Sequence, residues 1–138
     1  MPNTHNLAVA LDIGTTNISG ALIDCAKREI IATLERPNEQ VMYGDDVISR
    51  LKFATAKKGV KDLNKRIISS VSSLINSLLA QAALDASDLR RVVSAGNTVM
   101  YHLFFLLPVE TLAKAPFSPL KRDIIKEKAK DVGLKDFT

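Results

Sequence analysis

A carboxylate, a glycine and two hydroxyl side chains lie close together in this chain, as Asp12, Gly14, Thr15 and Thr16. Those residue types suit phosphate and its counter-ion. Backbone N–H groups and threonine hydroxyls donate to the phosphate oxygens, while an acid ahead of them holds Mg²⁺ directly or through water. A hairpin turn in which Asp12 and Thr15 merely satisfy the backbone would use the same residues. A second cluster, Asn97 and Thr98 after Gly96, sits where a strand would lead into a helix, so that both could meet an anion or a substrate. Helix capping is the simpler account of that pair. Neither GxxxxGK[ST] nor GxGxxG occurs, which excludes the two commonest nucleotide loops. His102, beside Leu103 and Phe104, reads as a packed or surface side chain. His5 lies in the terminus and carries no argument.

The elements that must position these groups follow from periodicity. Leu7, Val9 and Leu11 alternate with Ala8, Ala10 and Asp12, the period of a strand whose two faces meet different surroundings. Ile18 to Ile23 forms the return strand, with Gly20 and Ala21 leaving room for close packing. Gly14 permits the tight turn between them and the close approach of a ligand. Ile30 to Glu35 gives a third strand, ended by Pro37, and Arg36 to Gly44 reads as loop. Asp45 or Asp46 then caps a helix bearing Val47, Ile48, Leu51 and Ala54 on its apolar side, closed by Gly59. From about Asp62 to Leu84 a long helix carries Leu63, Ile67, Val71, Leu74, Leu78 and Ala82 as its stripe, widened by Ile68, Ile75 and Leu79. Its Lys, Asn, Ser and Gln residues read as solvated. After a loop at Asp85 to Asp88, Val92 to Ala95 predicts a short buried strand ended by Gly96. Asn97 or Thr98 caps a helix with Met100, Leu103, Phe104 and Leu107, stopped by Pro108. Ser118 and Pro119 open a final helix to about Val132, with Gly133 as its stop. The resulting order, β-β-β-α-α-β-α-α, predicts an α/β class with a ribonuclease-H-like mixed sheet and flanking helices.

Composition sets the outer limits. At 138 residues and 46% hydrophobic, the chain is long enough for one domain with a real core, spanning 1–138. The net charge of +4 is spread over Lys27, Arg28, Arg50, Lys57, Lys58, Lys61, Lys65, Arg66 and a Lys-rich C-terminal segment. With no aromatic-rich strand and no basic recognition helix, these read as solvated faces rather than a nucleic-acid surface. Cys25 is the only cysteine, so the chain builds neither an internal disulfide nor an iron–sulfur site. It reads as a hairpin-turn thiol. No apolar run approaches the ~20 residues of a membrane span, and MPNTHN lacks the features of a signal peptide. The expected location is cytoplasmic.

Four blocks carry a family resemblance. DIGTT after an apolar strand resembles the first phosphate loop of the acetate and sugar kinase, Hsp70 and actin superfamily. More narrowly, VALDIGTTN, YGDDVISR (Tyr43 to Arg50), SAGNTVMYH (Ser94 to His102) and APFSP (Ala115 to Pro119) resemble, in that order, the actin-like ATPase domain of the reductive activators of corrinoid proteins. The resemblance implies an ATP-dependent partner of the corrinoid protein of a methyltransferase system, returning inactive Co(II) to Co(I). In such activators an iron–sulfur domain delivers the electron, and ATP with Mg²⁺ drives the step. Carried over, Asp12 serves the metal and catalysis, Gly14, Thr15 and Thr16 the phosphates, and Asn97 and Thr98 face the cleft.

The departures set further expectations. The superfamily closes ATP between two related halves, and this sequence contains the motifs of the N-terminal half alone, without the second phosphate loop or a cysteine cluster. It is expected to bind nucleotide weakly and to turn over little by itself. Three rival readings stand beside this one. A sugar or acyl kinase would use the same first loop, with Asn97 toward substrate. A ribonuclease-H-like nuclease would need further acids converging on Asp12, where the fourth strand instead ends in Gly96 and Asn97. A non-catalytic docking or homodimerisation module would use apolar surface left by an absent half.

Overall fold

The computed structural model describes residues 5–56 and 59–137. Residues 1–4 of the amino-terminal stretch, and Lys57 and Lys58 among the basic residues, lie outside them. Three strands form the expected meander: β1 (Leu7–Ile13), β2 (Asn17–Asp24) and β3 (Glu29–Pro37). A fourth, β4 (Leu89–Gly96), pairs parallel to β1, which gives a mixed sheet of order β3-β2-β1-β4. The α/β class and mixed sheet expected from the sequence hold.

The sheet has one apolar face because period-two alternation sends Leu7, Val9, Leu11 and Ile13 of β1, and Ile18 and Leu22 of β2, to the same side. Helix α2 (Val60–Gln81) lies across that side, burying Leu63, Ile67, Val71, Leu74, Ile75 and Leu78. Each fully buried Leu or Ile contributes about 1.5–3 kcal/mol by leaving water. Gly20 faces this layer. A Cβ there would stand 2.6 Å from Leu74 Cδ2, so the absence of a side chain sets how closely helix and sheet approach. The polar side of α2 is not wholly solvated as expected. Ser70 is buried and accepts from the Glu39 N–H, and the Asn64 side-chain amide donates to the carbonyls of Leu103 and Phe104.

Helix α1 (Val47–Ala56) is capped by Asp46, whose Oδ1 accepts from the Ser49 N–H at 2.7 Å. Its inner side differs from expectation, because Ile48 is 61% exposed and Arg50 is fully buried. Residues 36–44, expected as loop, contain a 3-10 turn at Glu39–Tyr43 capped by Asn38. After β4 come α3 (Thr98–Phe104) and a single turn, α4 (Glu110–Ala113).

Two expectations fail. Strand β4 is not buried: only Leu89 is covered, and Val93 is 57% exposed. Among the described residues β4 is an edge strand, and an apolar run alone does not distinguish an edge from an interior position. The final helix also does not form. Residues 118–128 run without helix, followed by a 3-10 turn at Ala129–Val132. Tertiary contacts hold this segment in place without a helix. The Leu120 N–H donates to His102 Nε2, the Tyr101 hydroxyl donates to the Asp123 carbonyl, and Leu134 and Phe137 are buried. Gly133 does end the short turn, in the left-handed conformation expected of a stop (φ 101°). A groove of about 910 Å³ lies between this segment, β4 and α3.

Candidate functional site

The loop between β1 and β2 is closed by a hydrogen bond from the Gly14 N–H to the Asn17 carbonyl at 3.0 Å. Glycine is required by that closeness rather than by an unusual backbone angle, since a Cβ at Gly14 would lie 2.5 Å from the Asn17 oxygen. Thr15 and Thr16 form the tip, the first half-buried and the second exposed. Among the described residues, neither backbone N–H of that pair meets an acceptor. Both amides stay available to an anion.

Asp12 stands one residue before the end of β1, on the open side of the sheet, beside Ser19 of β2 and Ala95 of β4 in register. It is exposed, and among the described residues its carboxylate has no hydrogen-bond or ion-pair partner. The small side chains of Ala10, Ser19 and Ala21 border it, with Thr33 and Glu35 farther along the same shallow surface. A carboxylate that only completed a turn would accept from the loop amides, and Asp12 does not.

The second cluster comes to the first. Asn97 caps α3 by accepting from the Met100 N–H at 2.9 Å through Oδ1, and its Nδ2 donates to Thr15 Oγ1 at 3.1 Å. Capping is therefore real, and it uses only half of the side chain. Parallel pairing of β1 with β4 produces this meeting, because Ile13 and Gly96 are register partners and both chains leave the sheet at the same end. Thr98, the first residue of α3, is exposed beside it.

Beneath the loop lies a buried polar group that the sequence did not reveal. Asn38 is fully buried. Its Nδ2 donates to the Gly14 carbonyl at 3.0 Å, and its N–H donates to the Thr16 carbonyl at 2.8 Å. Its Oδ1 accepts from the Gln40 N–H, and Gln40 Nε2 donates to the Leu63 carbonyl. Arg50 Nε donates to the Gly44 carbonyl at 2.8 Å, and its Nη1 reaches Gln40 Oε1 at 3.3 Å. Nη2 of Arg50 is buried and has no partner among the described residues. Burial lowers the Arg50 pKa from its usual value, and the charges of Asp45 and Asp46 oppose that shift. Arg50 was expected on a solvated basic face. The usable signal was Asn38, Gln40 and Arg50 flanking the same block, which composition alone does not distinguish from loop.

His102 is packed as expected. It accepts the Leu120 N–H at Nε2, so its proton sits on Nδ1 and is donated to the Thr98 carbonyl at 2.8 Å. Cys25 is exposed just after β2, and Asp24 caps the same turn through the N–H groups of Ala26 and Lys27.

The residues of this arrangement do not by themselves enclose a metal ion. Among the described residues no three His, Cys, Asp or Glu side chains gather into a cage. One exposed carboxylate, Asp12, could hold only an ion whose other ligands come from water and a bound anion. Among the described residues no helix is long and apolar enough to cross a membrane.

Comparison with known proteins bears on the whole of this arrangement. The chain is 33% identical over 129 residues to a protein named corrinoid activation enzyme RamQ, from Eubacterium limosum, covering 91% of this chain and 21% of that protein. A solved structure titled reductive activator for corrinoid, iron-sulfur protein superposes with a TM-score of 0.90 at 28% identity, over 96% of this chain and 21% of that one. The chain thus spans about a fifth of the length of the relatives it matches. A family model described as the RACo middle region matches residues 7–137, and the chain belongs to that family.

Proposed function

We propose that this chain is the nucleotide-binding part of a reductive activator of corrinoid proteins, and that it takes ATP with Mg²⁺ at the β1–β2 loop. The observation that carries the reading is the hydrogen bond from Asn97 to Thr15 in the loop that follows Asp12, a carboxylate with no partner among the described residues. Two chain-distant blocks meet there, at a loop whose tip amides have no acceptor among the described residues.

Each residue has a distinct task in this reading. The Thr15 and Thr16 amides and hydroxyls receive phosphate oxygens, and Gly14 keeps the loop closed so that those amides point outward. Asp12 holds Mg²⁺, directly or through water. Asn97 orients the Thr15 hydroxyl, and Thr98 borders the same opening. Hydrolysis of bound ATP supplies the driving force for an unfavourable one-electron reduction of cobalt in a partner corrinoid protein. The electron originates outside this chain, whose single exposed cysteine cannot ligate a cluster.

The family and the two named relatives support the corrinoid assignment; the loop geometry supports the phosphate assignment. Titration of Mg-ATP into the protein tests the second directly. Saturable heat that disappears without Mg²⁺ is expected, and an absence of heat with the magnesium complex overturns it. Pull-down with a corrinoid protein in the Co(II) state, with and without ATP, tests the first. Phosphorylation of a sugar or carboxylate without corrinoid binding would overturn it in favour of a kinase.

A further inference from the structure

The loop proposed to bind phosphate is gripped from two sides. From beneath, Asn38 donates through Nδ2 to the Gly14 carbonyl and through its backbone N–H to the Thr16 carbonyl. From the side, Asn97 donates to Thr15 Oγ1. The two grips are joined through one residue. Met100 Sδ lies 3.7 Å from Asn38 Nδ2 and 3.7 Å from Arg50 Nη1, while the Met100 N–H is held by Asn97 Oδ1. The contacts thus form a closed circuit from Gly14 through Asn38, Met100 and Asn97 back to Thr15.

We infer that Asn38 is the positioning residue of this loop, a deepening that rests on the phosphate reading above. It touches neither phosphate nor metal, being fully buried below the loop. Its two donations occupy the Gly14 and Thr16 carbonyls, the oxygens that would otherwise be free to turn toward an incoming anion. With the Gly14 oxygen held inward, the Thr15 N–H of the same planar peptide stays outward before ligand arrives, and the held Thr16 oxygen fixes the peptide that closes the tip. An anion site made of backbone amides gains from such preorganisation, because no reorientation is needed when charge enters. Gln40 and Arg50 hold Asn38 in turn. Gln40 donates its N–H to Asn38 Oδ1, and Arg50 fixes Gln40 through Oε1. The block Tyr43 to Arg50 therefore acts on the site through Asn38 rather than by contact.

Asn38→Ser tests this, since serine can still accept the Gln40 N–H and is too short to reach Gly14. Hydrogen exchange at the Gly14 amide, now bonded to Asn17, is expected to quicken about tenfold, while Val9 and Leu22 keep their rates. Mg-ATP affinity is expected to fall about three- to tenfold, the range of one lost hydrogen bond. Ser70→Ala is the control. It removes a buried acceptor of the same turn, from Glu39, without touching the loop, so at a similar loss of Tm it should leave affinity and Gly14 exchange unchanged. If Asn38→Ser does not fold, Asn38→Asp repeats the test with the Gln40 contact kept and the donor lost. Unchanged Gly14 exchange in the variant, or equal effects from Ser70→Ala, overturns the inference. Failure of the unaltered protein to bind Mg-ATP overturns the phosphate reading instead, and the exchange rates still decide whether Asn38 orders the loop.

Discussion

Asn97 Nδ2 donates to Thr15 Oγ1 at 3.1 Å across 82 positions of the chain, while Oδ1 of the same side chain caps α3. One residue thus ties the end of β4 to the loop after β1. Helix α3 depends on the acceptor half of this amide, and the loop depends on the donor half.

The two halves can be separated by substitution. Asn97→Ala loses both, and the cap alone is worth about 0.5–2 kcal/mol. Asn97→Asp keeps the cap and places a negative charge beside the proposed phosphate. Thermal unfolding of Asn97→Asp should match the unaltered protein, while Mg-ATP affinity falls roughly tenfold through like-charge repulsion. Unchanged affinity would remove Asn97 from the site.

Gly20 tests the fit of helix to sheet. An alanine Cβ there meets Leu74 Cδ2 at 2.6 Å and the methyls of Leu11 and Leu78 at 3.2 Å. Overpacking of this kind costs about 1–3 kcal/mol. Urea unfolding of Gly20→Ala should show that loss with an unchanged m-value. A stability equal to the unaltered protein would mean that α2 is free to shift outward.

His102 anchors the carboxy-terminal segment. His102→Leu removes the acceptor of the Leu120 N–H and the donor to the Thr98 carbonyl, each bond contributing about 0.5–1.5 kcal/mol. Amide exchange from residue 118 to 125 should rise before the α2 amides are affected. Equal acceleration in α2 would show that the segment does not open separately. The Tyr101 hydroxyl, held above its usual pKa by burial first and by Asp123 second, keeps its proton for the bond to the Asp123 carbonyl.

Acid stability should depend on Asp46. The Ser49 backbone N–H holds this carboxylate below its ordinary value of 3.8, and Asp85 is held below the same value by the Ser87 N–H. A depressed folded-state pKa gives stability that is complete above about 3.8 and is lost as pH falls through the lower folded value. Asp46→Asn should therefore be less stable than the unaltered protein above that window, and the gap should close below it. A gap that persists at the lowest pH would assign the effect to something other than the cap's charge.

Much of the scaffold was legible because each of its signals is local. Alternation at Leu7, Val9 and Leu11 and the stripe from Leu63 to Leu78 depend only on which side of an element meets the core, and they placed β1 and α2 correctly. The meeting of Asn97 with Thr15 was not legible from spacing. It follows from parallel pairing of β4 with β1, a long-range choice. The resemblance of the two blocks to one family had put them in one cleft without saying that they touch.

What sequence reading missed falls into two physical kinds. Asn38, Gln40 and Arg50 are polar residues whose burial is compensated by one another and by backbone carbonyls, so composition assigns them to solvent. Residues 118–132 carry helix-compatible ends at Ser118, Pro119 and Gly133, yet contacts to Tyr101, His102 and the α2 side of the core hold them otherwise. Local propensity loses there to bonds that no window of sequence contains.

The central claim is that Asp12 and the loop after it receive Mg-ATP, and the most direct measurement is calorimetric titration of Mg-ATP into the unaltered protein and into Asp12→Asn. Asp12 has no partner among the described residues, so the substitution should leave the unfolding free energy within about 0.5 kcal/mol of the unaltered protein's. Weak, saturable, Mg²⁺-dependent binding is expected in the unaltered protein, with its loss in Asp12→Asn at unchanged stability. Binding that is equal in both proteins, or absent from the unaltered one, would contradict it.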